Sequence, residues 1–135
     1  GTEVSETDAD VRRDASAHLE MLSEELRNPE VVRQICTRFL QELPNRLGLI
    51  AVAALRRDRD VFAAEAHRFR GAAAAVGGGG LIEAIDAARS VTDLQDLPRA
   101  AEAIRQEAMA LRAALQEWLV TSGQDFSDGT PSPIR

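Results

Sequence analysis

Cysteine, aromatic residues and lysine are scarce or missing in this chain of 135 residues. With one cysteine, Cys36, the chain can form no internal disulfide, and it has no CxxC or Cys/His pattern typical of a metal site. Aromatic residues make up 4% of the sequence, with one Trp and no Tyr. A core must therefore be built from Leu, Ile, Val and many Ala, which favours closely packed helices over a β-sandwich. We expect Cys36 to belong to that core, because it lies on an apolar helical stripe and free cysteines are commonly buried.

Long hydrophobic runs and an excess of positive charge are also missing. No apolar run approaches the ~20 residues that cross a membrane, and the polar, acidic start GTEVSETDAD is unlike a signal peptide. The net charge of -6 argues against general binding to nucleic acid, which requires a basic surface. All 16 basic residues are Arg. We therefore expect a cytoplasmic protein that binds neither nucleic acid nor membrane.

Amphipathic helical patterns dominate the rest of the sequence. Apolar residues recur at spacings of three and four along five segments, and no segment alternates as a β-strand would. The helices are predicted at about residues 8–27, 28–54, 60–76, 81–91 and 97–120. This pattern favours an all-α, antiparallel up-down four-helix bundle formed by the last four helices, with the first helix packed across one end. Residues 1–8 and 121–135 are predicted to be disordered, which leaves one domain over 9–120.

The features of common enzyme active sites are not found. The run Gly77–Gly80 is predicted to be a connector, because it lacks the GxxxxGK[ST] pattern of a phosphate-binding loop and no strand precedes it. There is no paired-carboxylate site, no nucleophile triad and no nucleotide motif. A protein without enzymatic activity of its own is therefore the better interpretation.

His67 is one of two histidines and lies on the polar side of the third predicted helix. At about 100° per residue, the apolar stripe of that helix falls on the opposite side, and small residues and one arginine share the side of His67. These neighbours are Ala63, Ala64, Arg70, Gly71, Ala74 and Gly78. Small side chains would leave the imidazole prominent, so that the backbone of another protein could come close. His18, in contrast, is interpreted as a surface or boundary residue without a chemical role.

Arg70 gives this face a cation next to a nucleophile. It follows His67 by three residues, so its guanidinium is placed to contact an anionic group attached to the imidazole. An imidazole with an ordinary pKa of about 6.5 is mostly neutral in the cytoplasm and therefore nucleophilic. Without further information, the alternative that His67 is only an exposed surface histidine stays open.

The segment AHRFRGAAAAVGGGGL, residues 66–81, resembles the signature of the histidine-containing phosphotransfer (HPt) family. In that signature an Ala-His pair precedes an apolar residue, a Lys-Gly pair, small residues, an apolar residue, a Gly and a Leu. The matching positions here are Ala66, His67, Phe69, Arg70, Gly71, Ala72 to Ala74, Val76, Gly77 and Leu81. The resemblance covers about residues 19–119. It departs from the family at Arg70, which replaces Lys, and at Arg89, where relatives often carry Gln or Glu.

The resemblance implies a phosphorelay carrier that accepts a phosphoryl group on His67 from a receiver-domain aspartate and passes it to another receiver aspartate. Arg70 would stabilise the phosphoryl group. The carrier would have no cofactor of its own, since the Mg²⁺ belongs to the receiver. The implied partners are response-regulator receiver domains, a hybrid histidine kinase, or both, and a monomer is expected. Residues expected to meet the partner are Ala63, Ala64, Arg68, Gly71, Ala74, Gly78 and Arg89.

Two arginine features allow more than one interpretation. Because a protonated Arg cannot accept the proton of the imidazole Nδ1, either another group orients the ring or Arg89 contacts the phosphoryl group. Arg89 could equally be a solvated helix residue without a role. Arg56, Arg57 and Arg59, together with Arg68, would form either a basic patch that meets an acidic receiver pocket or a solvated run of charges.

Two other functions remain as alternatives. The first is the phosphoacceptor domain of a chemotaxis-type histidine kinase, which shares the fold and is phosphorylated from ATP by a kinase domain. Such domains usually carry an acidic residue close to the histidine, and Arg89 argues against this assignment. The second is a non-catalytic helical adaptor in which His67 is incidental.

Overall fold

The structure is a computed structural model that describes the backbone of residues 6–129 and the side chains of residues 9–122. Five α-helices and one short 3₁₀ helix make up this part of the chain, and no strand occurs within it, which confirms the all-α prediction. The helices are α1 (Glu6–Leu26), α2 (Pro29–Leu55), α3 (Arg59–Ala75), α4 (Gly79–Arg89) and α5 (Leu97–Gly129), with the 3₁₀ helix at Leu94–Asp96. Within the described residues, no helix combines the length and apolar character needed to cross a membrane.

Side-chain caps start α2 and α3. The Asn28 side chain accepts a hydrogen bond from the backbone N–H of Val31, and Pro29 occupies the first helical position, where its missing N–H costs nothing. Asp58 caps α3 in the same way by accepting from Val61 at 3.2 Å. The Asp58 cap marks the point at which α3, the helix that carries His67, begins.

Helix ends differ from the predicted ones in three places. α1 begins at Glu6, so residues 6–8 of the predicted disordered N-terminus are helical. α5 runs to Gly129, so the predicted end near Val120 is too early, and residues 121–129 of the predicted disordered tail are helical. The rest of that tail, 130–135, lies outside the described residues, as do residues 1–5 of the predicted disordered N-terminus. α4 begins at Gly79, so the second half of the predicted glycine connector is the first turn of a helix.

The helices α2, α3, α4 and α5 enclose the core in a closed series of contacts. α2 packs on α3, α3 on α4, α4 on α5, and α5 on α2. α1 packs against α5 as extensively as α2 does, and it also contacts α2 and α4. Its predicted place across one end of the bundle stays a prediction. The core is aliphatic with stacked rings of Phe39 and Phe69, whose centroids lie 6.1 Å apart. Cys36 is fully buried, as predicted, and burial raises the pKa of its thiol to about 11.

His18 connects α1 to the end of α3. Its Nε2 lies 3.1 Å from the carbonyl oxygen of Ala75, the last residue of α3. The turn that follows α3 passes close to the side chain of His18. Gly77 in this turn adopts φ 75°, and a Cβ added there would lie 2.5 Å from the Cβ of His18. His18 thus has a structural role that the sequence did not indicate.

Candidate functional site

His67 lies in the middle of α3 and is exposed. Its face is separated from the core because the buried residues of α3 are Phe62, Ala66, Phe69 and Ala73. The predicted orientation of His67 is therefore confirmed. Among the side chains that the structure describes, none forms a hydrogen bond or ion pair with its imidazole. A ring in this state can receive a group from another molecule without first breaking an internal contact.

Most of the exposed residues around His67 on α3 are small, as the sequence predicted. The small residues Ala63, Ala64, Gly71 and Ala74 are all exposed on α3. A Cβ added to Gly71 would meet nothing within 4 Å. Gly71 is thus not required for helix packing, and its missing side chain leaves open space one turn beyond His67.

Gly78 does not belong to this surface, and its prediction as a partner-binding residue is wrong. It is buried, and a Cβ added there would lie 2.6 Å from Cδ2 of Leu111 on α5. The physical reason is that α3 ends at Ala75, so the 100° rotation per residue does not continue to position 78. Gly78 instead allows the chain to turn closely against α5 before α4 begins.

Arg70 is bound to a partner that the sequence analysis did not identify. Its Nε donates to Oδ1 of Asp86 at 2.8 Å and its Nη2 donates to Oδ2 at 3.2 Å, a bidentate ion pair between α3 and α4. The two side chains are 41% and 46% exposed, so the pair lies at the surface. The hydrogen bond from Arg70 lowers the pKa of the Asp86 carboxyl, and the hydrogen bond to Asp86 raises the pKa of the Arg70 guanidinium.

Arg89 lies on α4 one turn after Asp86 and is exposed. Its positive charge also contributes to the lowered pKa of the Asp86 carboxyl, after the larger effects of Arg70. The sequence suggested Arg89 as the α4 residue that could contact the phosphoryl group, whereas Asp86 is the α4 side chain bound to Arg70. The sequence does contain a sign of Asp86. It precedes Arg89 by three residues, so the two share one side of α4, and this side lies away from the buried residues Ile85 and Ala88.

Three of the four arginines of the predicted basic patch, Arg57, Arg59 and Arg68, have internal partners, whereas Arg56 is exposed. Arg68 forms an ion pair with Glu65 at 2.9 Å. Arg59 donates to the backbone carbonyl oxygens of Val91 and Thr92, at 2.6 Å each. Arg57 donates to the side chain of Gln95 at 3.1 Å. Arg57 and Arg59 therefore tie the α2–α3 turn to the segment before α5.

The chain was compared with family models, curated proteins and solved structures. No family model matches it, and no curated protein or solved structure is significantly similar to it. Nor do the described side chains include a group of three or more His, Cys, Asp or Glu residues that could hold a metal ion. The expectation that the protein has no cofactor of its own stays a prediction.

Proposed function

We propose that this protein is an HPt-type phosphorelay carrier and that His67 is its phosphoacceptor. The observation that carries the proposal is the exposed imidazole of His67, which has no partner among the described side chains and stands among small residues. The cation of Arg70 and the open space at Gly71 lie within one turn of it. We further propose that α2 to α5 form an antiparallel up-down four-helix bundle, with α1 as the additional helix.

The proposed chemistry is a transfer between an aspartyl phosphate and an imidazole. The lone pair of a ring nitrogen of His67, which we take to be Nε2, attacks phosphorus, and a P–N bond forms. The P–O bond to the receiver aspartate breaks, and the carboxylate leaves with its electron pair. Because Nδ1 keeps its proton, the product is a positively charged phosphoimidazolium, which can pass the phosphoryl group to the aspartate of a second receiver by the reverse steps.

Most of the catalytic groups in this proposal belong to the receiver, which supplies the aspartate and a bound Mg²⁺. Phosphoryl transfer depends mainly on positioning and charge stabilisation, so the carrier needs a nucleophile, a cation and a surface that allows close approach. His67 and Arg70 provide the first two. The surface for close approach is provided by Ala63, Ala64 and the small residues that follow on the same face. Side chains of this size allow the backbone of a partner to come close.

The partners proposed are receiver domains of response regulators, a hybrid histidine kinase, or both. An acidic receiver pocket would favour approach to a surface that carries Arg68, Arg70 and Arg89. A carrier of this kind would act as a monomer in the cytoplasm and needs no ATP site.

The experiment is transfer from a phosphorylated receiver with Mg²⁺, followed by mapping of the modified residue. We expect a phosphoryl group on His67 that is labile in acid and stable in base. His67→Ala should abolish it. Modification of another residue would contradict the assignment of the site.

A second candidate, the phosphoacceptor domain of a chemotaxis-type kinase, gains one observation. The sequence argument against it was that an acidic residue near the histidine is missing, and the ion pair with Arg70 brings the carboxylate of Asp86 to this side of α3. Transfer from ATP through a kinase domain, without any receiver, would favour this candidate. A helical adaptor would accept a phosphoryl group from neither source.

A further inference from the structure

Arg70 is already occupied when His67 carries no phosphoryl group. Two of the five N–H donors of its guanidinium are directed at Asp86, through Nε at 2.8 Å and Nη2 at 3.2 Å. The same guanidinium belongs to the residue three positions after His67, a spacing at which side chains of one helix can meet. A phosphoryl group on His67 and the carboxylate of Asp86 are therefore two anions that can bind the same guanidinium.

We propose that Asp86 is a positioning residue that competes with the phosphoryl group for Arg70, and thereby shortens the time for which His67 retains it. This inference rests on the proposed function of His67. It assigns to an exposed carboxylate of α4 the task of keeping the phosphoryl group transferable. A phosphorelay carrier must donate the phosphoryl group as readily as it accepts it. A cation that stayed bound to the phosphoryl group would hinder its onward transfer.

The exposure of the pair makes such an exchange of partners feasible. Both side chains are close to half exposed, and exposed ion pairs contribute little to stability because water and salt screen them. A phosphoryl group carries more negative charge than a carboxylate, so it can displace Asp86 from Arg70. The carboxylate nevertheless reduces the net positive charge offered to the phosphoryl group.

Arg89 provides a second cation for Asp86. It follows Asp86 by one turn of α4, a spacing at which side chains on a helix can meet, and its charge is felt by the Asp86 carboxyl. When Arg70 turns to a phosphoryl group, Asp86 can pair with Arg89 and is not left uncompensated. This gives Arg89 a role that does not require contact with the phosphoryl group.

The test is the hydrolysis of phosphohistidine in Asp86→Asn. Phosphoramidate, a small phosphoryl donor, can load His67 without a receiver, and ³¹P NMR can follow the loss of the P–N bond. We expect the half-life on His67 to increase by a factor of about 1.5 to 5, the range that corresponds to the small energy of one exposed ion pair. With one receiver and Mg²⁺ present, Asp86→Asn should also shift the equilibrium distribution of the phosphoryl group from the receiver aspartate toward His67.

A matched control is available on α5. Arg105 and Glu102 form the same bidentate arrangement, with Nε–Oε1 at 2.9 Å and Nη2–Oε2 at 2.7 Å, at similar exposure. Glu102→Gln removes the same charge and the same kind of pair, and should leave the half-life unchanged. A longer half-life in both variants would show an effect of net charge alone and would overturn the proposal.

The dependence on Arg70 is tested by the double variant. If Asp86 acts through Arg70, then Asp86→Asn should change nothing when Arg70 is already Ala. An equal increase in that background, or a shorter half-life in Asp86→Asn alone, would overturn the proposal. Because phosphoramidate replaces the receiver, these results do not depend on the proposed function. If phosphoramidate phosphorylates His67 but no receiver does, the proposed function is contradicted, whereas the role of Asp86 can still be tested.

Discussion

The carboxylate of Asp86 holds the guanidinium of Arg70 by two hydrogen bonds that join α4 to α3, at 2.8 and 3.2 Å. This pair is the one direct polar link, among the described side chains, between α4 and the polar face of α3 that carries His67. The properties of the site therefore depend on the charge state of Asp86 as well as on His67.

The first prediction concerns the titration of Asp86. Its pKa in the folded protein is lowered by Arg70, so the ion pair is present above the ordinary carboxyl pKa and is lost only as the pH falls through the lowered value. No change in the pair is expected between pH 8 and pH 5 because Asp86 stays ionised there. Carboxyl ¹³C NMR should show Asp86 titrating below 3.8, the ordinary value. In Arg70→Ala the pKa should rise toward that value, and an unchanged pKa would show that the pair does not form in solution.

The second prediction is that Arg70→Ala slows transfer from a receiver to His67. The loss should be on the order of tenfold or more, as expected when one electrostatic stabiliser is removed. Arg105→Ala is the control, because it breaks the comparable pair with Glu102 on α5. Rapid-quench kinetics on both variants measure the effect. Equal rates for the wild type and Arg70→Ala would mean that Arg70 is only a surface partner of Asp86.

The third prediction tests close approach at Gly71. Gly71→Gln should keep or raise the melting temperature, because the site is open and Gly is a poor helix former. The added side chain should nevertheless weaken receiver binding and slow transfer to His67. The two measurements are expected to change in opposite directions.

Gly48 on α2 offers a matched control for Gly71. It is exposed, and a Cβ added there would also meet nothing within 4 Å. Phe39 marks the side of α2 that faces α3, because it stacks on Phe69. Gly48 comes nine residues later, which at 100° per residue places it on the opposite side of the helix, about half a turn away. It therefore lies on the side of α2 away from α3, and Gly48→Gln should leave transfer unchanged. Equal inhibition by both variants would contradict docking around His67.

The fourth prediction concerns the turn between α3 and α4. Gly77→Ala should destabilise the protein by about 1–3 kcal/mol, because an alanine in the left-handed region is strained and its Cβ would collide with His18. Chemical denaturation of this variant and of Gly71→Ala should give opposite signs, with Gly71→Ala neutral or stabilising by up to about 1 kcal/mol. Similar stability of both variants would contradict the positive φ at Gly77.

The direction of His67 could be predicted from the sequence because it depends on periodicity alone. Phe62, Ala66 and Phe69 mark the buried side of α3, and a regular helix then fixes the opposite side. The same reasoning failed at Gly78, since a helix wheel carries no information about where the helix ends. α3 stops at Ala75, and the positions beyond it follow the turn instead.

Asp86 could not be predicted because its partner belongs to another helix. The sequence indicates that it lies on the polar side of α4, but the contact with Arg70 depends on how α3 and α4 are placed relative to each other. The extension of α5 to Gly129 was missed for a different reason. The residues after Val120 include Gly, Ser and Asp, which are poor helix formers, so their composition favoured a tail.

The most direct test of the central claim is to incubate the chain with a phosphorylated receiver and Mg²⁺ and then map the modified residue. We predict one phosphoryl group, on His67, that is lost in acid and retained in base. His67→Gln should stay folded, with stability changed by under about 0.5 kcal/mol because the residue is exposed, and should accept none. Transfer that persists in His67→Gln, or a folded wild-type chain that accepts nothing from any cognate receiver, would contradict the account.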